Sequence, residues 1–88
     1  MSSVASPGRE VILYTRNSCG LCDEAAAELH ALRTELRFTL TEIDIDAAVD
    51  LRAQYDEIVP VVAIGGNVIA HAPIAVGELR AALSAALA

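Results

Sequence analysis

Hydrophobic positions along the chain alternate between short continuous runs and stretches with a three- to four-residue rhythm. The first run, Glu10–Thr15, contains β-branched and aromatic residues and is typical of a buried strand. The residues after it have helical rhythm and predict a helix from Cys19 to about Leu36, with Asn17 and Ser18 as candidate N-caps. The apolar face of this helix is expected to consist of Cys22, Ala25, Ala26, Leu29, Leu32 and Leu36.

The middle of the chain predicts a second strand and a short second helix. Apolar and polar residues alternate over 37–46, but the phase slips at Thr41–Glu42, which indicates a bulge or a strand end there. Asp46 is a candidate cap for a helix over about Ala47–Tyr55. This helix is less regularly amphipathic than the first.

The last third predicts a β-hairpin followed by a helix. Two apolar runs are joined by Gly65-Gly66, a sequence typical of a tight hairpin turn. Pro60 stands at the entrance to the first run and Pro73 ends the second. A final amphipathic helix is expected over about Val76–Leu87. The predicted fold is therefore α/β, ordered β-α-β-α-β-β-α, with a four-stranded mixed sheet and three helices.

Composition narrows the class of protein. The chain has 88 residues, 55% of them hydrophobic, which is enough for one small core. Its net charge of -6 argues against nucleic acid and anionic membrane surfaces as partners. Residues 1–9 are expected to be a disordered lead-in without an export signal, and residues 10–88 a single domain. The expected compartment is the cytoplasm, and the expected state is a monomer.

The two cysteines of the chain, Cys19 and Cys22, form a CxxC motif between the first strand and the first helix. Free amides and the dipole at a helix N-terminus favour a thiolate at Cys19. Cys22, one turn later, is then placed to attack a mixed disulfide formed at Cys19. Arg16, three residues before Cys19, is a candidate source of further positive charge, whereas Asp23 opposes it.

Other interpretations of the pair remain open. A structural disulfide closing so short a loop would contribute only about 2 kcal/mol on the loop-entropy estimate. A structural zinc site needs four ligands, and the other candidates are His30 and His71. Two core cysteines without chemistry are a further alternative. Thiol–disulfide exchange agrees best with the position of the motif in a βαβ unit.

Three segments carry a resemblance to the glutaredoxin branch of the thioredoxin superfamily. "YTRNSCGLC" resembles the family's first strand and active-site segment, "IVPVV" its cis-proline segment and "AIGGNVI" its closing hairpin. The resemblance implies that Cys19 is the nucleophile and Cys22 the resolving thiol. It also implies a cis peptide bond before Pro60, and a free backbone at Val59 that pairs with an extended substrate. The expected substrates are protein or small-molecule disulfides.

The chain also departs from that family. Glutaredoxins usually have Pro-Tyr between the cysteines, where this chain has Gly20 and Leu21. They carry Gly-Gly and acidic residues after the second hairpin strand, where the γ-glutamyl group of glutathione binds. This chain has Ala70, His71 and Ala72 there, and no acidic residue before Glu78. Glutathione is therefore one candidate reductant beside a thioredoxin-type reductase, and no bound cofactor or metal is expected.

Leu21 is expected to be exposed at the rim of the site, where an apolar side chain can contact a protein substrate. The candidate site is thus Cys19 and Cys22 as reacting groups, with Arg16, Leu21, Val59 and Pro60 as substrate-binding residues. The predicted function is thiol–disulfide exchange of the glutaredoxin type. The alternatives are a metal or Fe–S binding module that uses the CxxC motif, and a binding protein of the thioredoxin fold without turnover.

Overall fold

The computed structural model describes residues 9–88, so most of the lead-in expected over residues 1–9 lies outside the described residues. Seven elements follow one another in the expected order. The strands are β1 (Glu10–Thr15), β2 (Thr39–Asp44), β3 (Val61–Ile64) and β4 (Asn67–His71), and the helices are α1 (Gly20–Leu36), α2 (Val49–Tyr55) and α3 (Glu78–Ala86). The predicted α/β fold, with a four-stranded mixed sheet and three helices, is confirmed.

The sheet has the order β2-β1-β3-β4. β1 and β2 are parallel and are joined through α1, whereas β3 is antiparallel to both β1 and β4. β1 is therefore a central strand with neighbours on both sides. Its carboxyl end leads directly into the segment that carries the two cysteines.

Two clusters of apolar side chains cover the two faces of the sheet. Because side chains alternate along a strand, Leu13 and Tyr14 point to opposite faces. Leu13 belongs to the larger cluster, which lies between the sheet and the helices α1 and α3. Tyr14 packs on the smaller cluster of Ile45, Tyr55 and Val61, with 4.5 Å between the ring centroids of Tyr14 and Tyr55. The apolar face predicted for α1 is the face that the larger cluster buries.

Several local expectations differ from the structure. The pairing of β1 with β2 runs without a shift from Glu10↔Thr39 to Thr15↔Asp44, so the bulge expected in β2 is absent from this pairing. An irregularity lies instead between Val62 and Ala63, in the pairing of β3 with β4. Because β2 is an edge strand, its polar residues do not have to follow a strict alternation.

The second helix also begins differently. Residues Ile45–Ala47 form a 3₁₀ turn, and the side chain of Asp44, not Asp46, caps it by accepting the amide N–H of Asp46. Helix α2 starts at Val49 without a side-chain cap.

The last helix, α3, begins at Glu78 and not at Val76, since Gly77 takes a positive φ of 85° that interrupts the predicted helix.

Arg9, assigned from the sequence to the lead-in, is part of the folded domain. Its guanidinium donates hydrogen bonds to the carbonyl oxygens of Leu36, Arg37 and Leu87 at 2.5, 2.8 and 3.2 Å. These carbonyls lie at the ends of α1 and α3, where backbone acceptors have no partner within the helix. One cation therefore joins two helix C-termini that carry partial negative charge. Within residues 9–88, no helix is both long and apolar enough to cross a bilayer.

Candidate redox site at the start of helix α1

A sharp change of backbone direction after β1 brings Cys19 to the surface and leaves Cys22 buried. Ser18 takes a left-handed conformation with φ of 58°, and Cys19 follows in an extended conformation as the N-cap of α1. The expected caps, Asn17 and Ser18, therefore precede the actual one. The Cys19 carbonyl accepts the first helical hydrogen bond from the Asp23 amide at 3.0 Å. As N-cap, Cys19 has its side chain at the end of the helix where amide donors are free.

The sulfur atoms of Cys19 and Cys22 lie at disulfide distance, and their Cα atoms are 5.2 Å apart. The backbone amide of Cys22 donates a hydrogen bond to Sγ of Cys19 at 3.1 Å. Cys19 is half-buried, whereas Cys22 has no exposed surface. The pair thus presents one sulfur to a reaction partner and keeps the other behind it.

The Val59–Pro60 segment enters β3 beside this site, and its peptide bond is cis. Pro60 is fully buried, and Val59 is half-buried. The expectation of a free Val59 backbone needs a correction, because the Val59 amide donates to the Tyr55 carbonyl at 3.1 Å. Among residues 9–88, no hydrogen bond is directed at the Val59 carbonyl, so that oxygen is the part of the backbone left to accept a substrate donor.

Arg16 lies in a network of two carboxylates. Its Nη2 is 2.8 Å from Oδ1 of Asp46, and its Nη1 is 2.6 Å from Oδ1 of Asp56. The hydrogen bonds that Arg16 donates to these carboxylates raise the pKa of its guanidinium, and the bond to Asp46 lowers the pKa of that carboxyl. Two negative charges therefore offset the positive charge that the sequence assigned to the thiolate of Cys19 or to a substrate anion. Substrate binding by Arg16 remains a prediction.

Leu21 is exposed, with 57% of its surface accessible, as expected for a residue at the rim. It forms one end of a groove that continues between α1 and the segment after β4. The groove is lined by Leu21, Glu24, Ala25, Glu28, Pro60, Ala72, Ile74 and Leu79. The amide of Ala72 is shared by the carbonyls of Ile58 and Pro60, both at 3.1 Å, and fixes the far wall against the cis-proline segment.

Sequence reasoning missed Glu24 and Glu28 as members of this groove. Their spacing of four residues places them on one side of α1. That spacing was a usable signal, but it does not reveal which other segment faces them. Glu78, the first acidic residue after β4, accepts the Ala75 amide at 3.0 Å and is thus bonded within its own loop.

The two histidines lie outside this arrangement. Nε2 of His30 pairs with Oε2 of Glu42 at 2.9 Å, and Nδ1 of His71 lies 2.8 Å from the Ala72 carbonyl oxygen. In the part of the chain that the structure describes, no group of three or more His, Cys, Asp or Glu side chains is arranged to hold one metal ion. What the arrangement at Cys19 and Cys22 can do chemically is form and break a disulfide bond.

Comparison with known proteins agrees with this geometry. Residues 10–84 match the family model described as "Glutaredoxin-like domain (DUF836)". The uncharacterized protein Rv0508 of Mycobacterium tuberculosis is 34% identical over 77 residues, which cover 82% of this chain and 79% of that protein. Among solved structures, protein XcR50 from X. campestris is similar with a TM-score of 0.72 and 31% identity, over 85% of this chain and 96% of that one.

A more distant neighbour is glutaredoxin C1 from Populus tremula x tremuloides, solved in its holo form. Its TM-score is 0.58 at 22% identity, and the match covers 94% of this chain and 77% of that one. At this identity the similarity concerns the fold. It places the described sheet and helices of this chain in the same arrangement as a glutaredoxin.

Proposed function

We propose that this chain, which belongs to the glutaredoxin-like domain family, is a thiol–disulfide oxidoreductase. Cys19 is the nucleophile and Cys22 the resolving thiol. The substrates are disulfides of proteins or small molecules, including glutathionylated thiols. The family and the disulfide distance between the two sulfur atoms support a redox role.

The observation that carries the proposal is the unequal exposure of two adjacent sulfurs. Cys19 is half-buried and caps the free amides of α1, whereas Cys22 is fully buried. Donors at a helix N-terminus stabilise an attacking thiolate, and a thiol exchanges only if a disulfide can reach it. Cys19 meets both conditions. Cys22 is protected from the substrate but adjacent to the sulfur that it has to attack.

The reaction proceeds in two exchanges that balance. The Cys19 thiolate attacks one sulfur of the substrate disulfide, forms a mixed disulfide with it and expels the other sulfur as a thiolate. The Cys22 thiol loses its proton to water and attacks Sγ of Cys19, and the second substrate sulfur leaves as a thiolate. The substrate gains two electrons and the protein dithiol loses two, and both leaving thiolates take protons from water.

Three neighbours have supporting roles in this proposal. The Val59 carbonyl accepts an amide donor of an extended substrate, so that the substrate lies along the start of β3. Pro60 provides a buried apolar surface next to the groove, and Leu21 contacts the substrate at the rim. Arg16 contributes only if a substrate anion displaces Asp46 or Asp56 from it.

Turnover requires a thiol reductant for the Cys19–Cys22 disulfide, either glutathione or a thioredoxin-type reductase with its dithiol. The oxidised protein can be incubated with each system in turn while free thiols are measured. We expect reduction by the reductase system but not by glutathione. The reason is that Ala70, His71 and Ala72 stand where glutaredoxins have the Gly-Gly and acidic residues that bind glutathione. This assay also separates the two reductants without any assumption about the substrate.

The decisive test uses two matched variants, Cys19→Ser and Cys22→Ser, with a mixed disulfide of a peptide and glutathione as substrate. Cys19→Ser is expected to lose exchange. Cys22→Ser is expected to accumulate a mixed disulfide at Cys19, which mass spectrometry detects. If Cys19→Ser keeps the activity of the unmodified protein, the assignment of the nucleophile is wrong. If neither reduced protein nor variant exchanges with any disulfide, the proposed function is wrong.

A further inference from the structure

The groove beside the cysteines has an unusual distribution of charge. Its floor and far wall are apolar, with Leu21, Ile74 and Leu79 among the lining residues. Within residues 9–88, the only charged residues that line it are Glu24 and Glu28, both on α1. No arginine of the described part of the chain lines the groove, and the sequence contains no lysine. The groove therefore combines apolar contact surface with an acidic wall, and it includes Leu21, which lies between the two cysteines in the sequence.

Neither acidic side chain forms an ion pair within residues 9–88. Among residues 9–88, the ion pairs involve other carboxylates and leave Glu24 and Glu28 without a partner. The cation whose charge reaches Glu28 is Arg80, but its guanidinium is bound by both carboxylate oxygens of Glu35, with Nη2 at 2.9 Å from Oε1. Two carboxylates four residues apart on one helix, neither of them in an ion pair within residues 9–88, repel each other. A cationic group placed between them would relieve this repulsion.

The enclosed part of the groove is too small for a whole tripeptide. Its cavity volume is about 60 Å³, far below the 300 Å³ or more that is typical of pockets for small molecules. That space suits one side chain. A lysine or arginine has an aliphatic stem that packs on apolar surface and a charged head that reaches a carboxylate. Glutathione, in contrast, would bring two carboxylates towards the acidic wall.

We propose that this groove selects polypeptide disulfides in which lysine or arginine lies next to the reacting cysteine, and disfavours glutathione and other anionic thiols. The cationic head binds Glu24 and Glu28, and its stem packs against Leu21 and Ile74. Glu24 and Glu28 are therefore specificity-determining residues for the exchange at Cys19. This inference rests on the proposed function, since it describes which disulfides the same cysteines attack.

The experiment uses three matched peptide disulfides, in which each cysteine is flanked on both sides by lysine, by glutamine or by glutamate. Reduced full-length protein is mixed with each peptide in excess, and the rate of its oxidation is followed. Each rate is divided by that of 2-mercaptoethanol with the same peptide, which removes the intrinsic reactivity of the disulfide. We expect the lysine peptide to react about tenfold faster than the glutamate peptide, with glutamine between them.

The charge variants locate the effect. In the double variant Glu24→Gln/Glu28→Gln, the rate with the lysine peptide should exceed the rate with the glutamate peptide by about twofold or less. In the unmodified protein, added salt should lower the ratio of these two rates, because salt screens the charges. Asp50→Asn/Glu57→Gln is the control, because these two exposed residues lie outside the groove and the net charge changes equally. This control should keep the ratio. Glu24→Gln alone, at an exposed position, should lower it partly and guards against misfolding of the double variant.

The outcomes are distinguishable. Equal rates with all three peptides, or an equal loss of the ratio in the control variant, would overturn the inference and leave the proposed exchange activity standing. Faster reaction with glutathione disulfide than with the lysine peptide would also overturn it. No reaction with any of these peptides, nor with the uncharged 2-hydroxyethyl disulfide, would reject the exchange activity and the inference with it.

Discussion

Arg16 and Asp46 form an ion pair in which Nη2 of the arginine lies 2.8 Å from Oδ1 of the carboxylate, thirty positions further along the chain. A second carboxylate, that of Asp56, binds the same guanidinium. The pair connects the segment after β1 with the 3₁₀ turn before α2. Arg16 thus has a structural role, and a substrate anion would have to compete with two carboxylates for its guanidinium.

The contribution of the Arg16–Asp46 ion pair to the stability of the fold should depend on pH. Arg16 holds the pKa of Asp46 below its ordinary value, mainly by a hydrogen bond. Since the pKa is lower in the folded state, the stabilisation is complete above the ordinary carboxyl pKa of about 4 and is lost as the pH falls through the depressed value. Asp46→Asn should therefore lower the urea midpoint near neutral pH and converge with the unmodified protein in acid.

Urea unfolding at several pH values checks this. Asp50→Asn is the matched control, because Asp50 is exposed and makes no ion pair within residues 9–88. It should change the midpoint little at any pH. A constant difference between Asp46→Asn and the unmodified protein down to acid pH would show that the loss has another origin.

The difference in exposure between the cysteines predicts their order of alkylation. In the reduced protein, iodoacetamide should modify the half-buried Cys19 before the fully buried Cys22, by about tenfold or more in rate. Peptide mapping by mass spectrometry after short exposure measures both sites in one sample. Unfolding in urea should equalise the two rates, which is the internal control. Preferential modification of Cys22 would reverse the assigned roles.

Arg9 is predicted to stabilise the domain although it is far from the cysteines. Arg9→Ala removes three hydrogen bonds to carbonyls at the ends of α1 and α3 and should lower the free energy of unfolding by about 1–2 kcal/mol. Arg52→Ala is the control, since the Arg52 side chain is exposed and makes no hydrogen bond in the described part of the chain. Similar losses in the two variants would argue that only the net charge matters.

Leu21 is predicted to contact protein substrates. Its side chain is exposed beside the sulfurs, so Leu21→Ala should affect stability little. It should reduce kcat/KM with a disulfide-containing protein by about tenfold, as expected if the substrate buries part of the leucine side chain. The loss with a small disulfide should be smaller. Val68→Ala, at a 45% exposed position on β4, is the control for removing surface hydrophobic area. An equal loss in both variants would remove Leu21 from the proposed substrate surface.

Local pattern was sufficient for much of this protein. The continuous run of β1 and the three- to four-residue rhythm of α1 place Cys19 and Cys22 at a strand-to-helix junction without reference to any distant residue. The Gly65-Gly66 turn and Pro60 likewise mark the hairpin and its entrance. These features depend on neighbours within a few positions, where backbone geometry and burial of one face restrict the sequence strongly.

Tertiary structure decided which charges meet. Arg16 is three residues from Cys19 in sequence, yet its partners are Asp46 and Asp56, and the acids that approach the groove are Glu24 and Glu28. Charged side chains are long and tolerate many surroundings, so their spacing along a chain does not specify their partners. Those are fixed only when β2, α2 and the segment after β4 pack around β1 and α1. The sequence thus determined where the sulfurs are, and the packed fold decided the charge of the surface that a substrate meets.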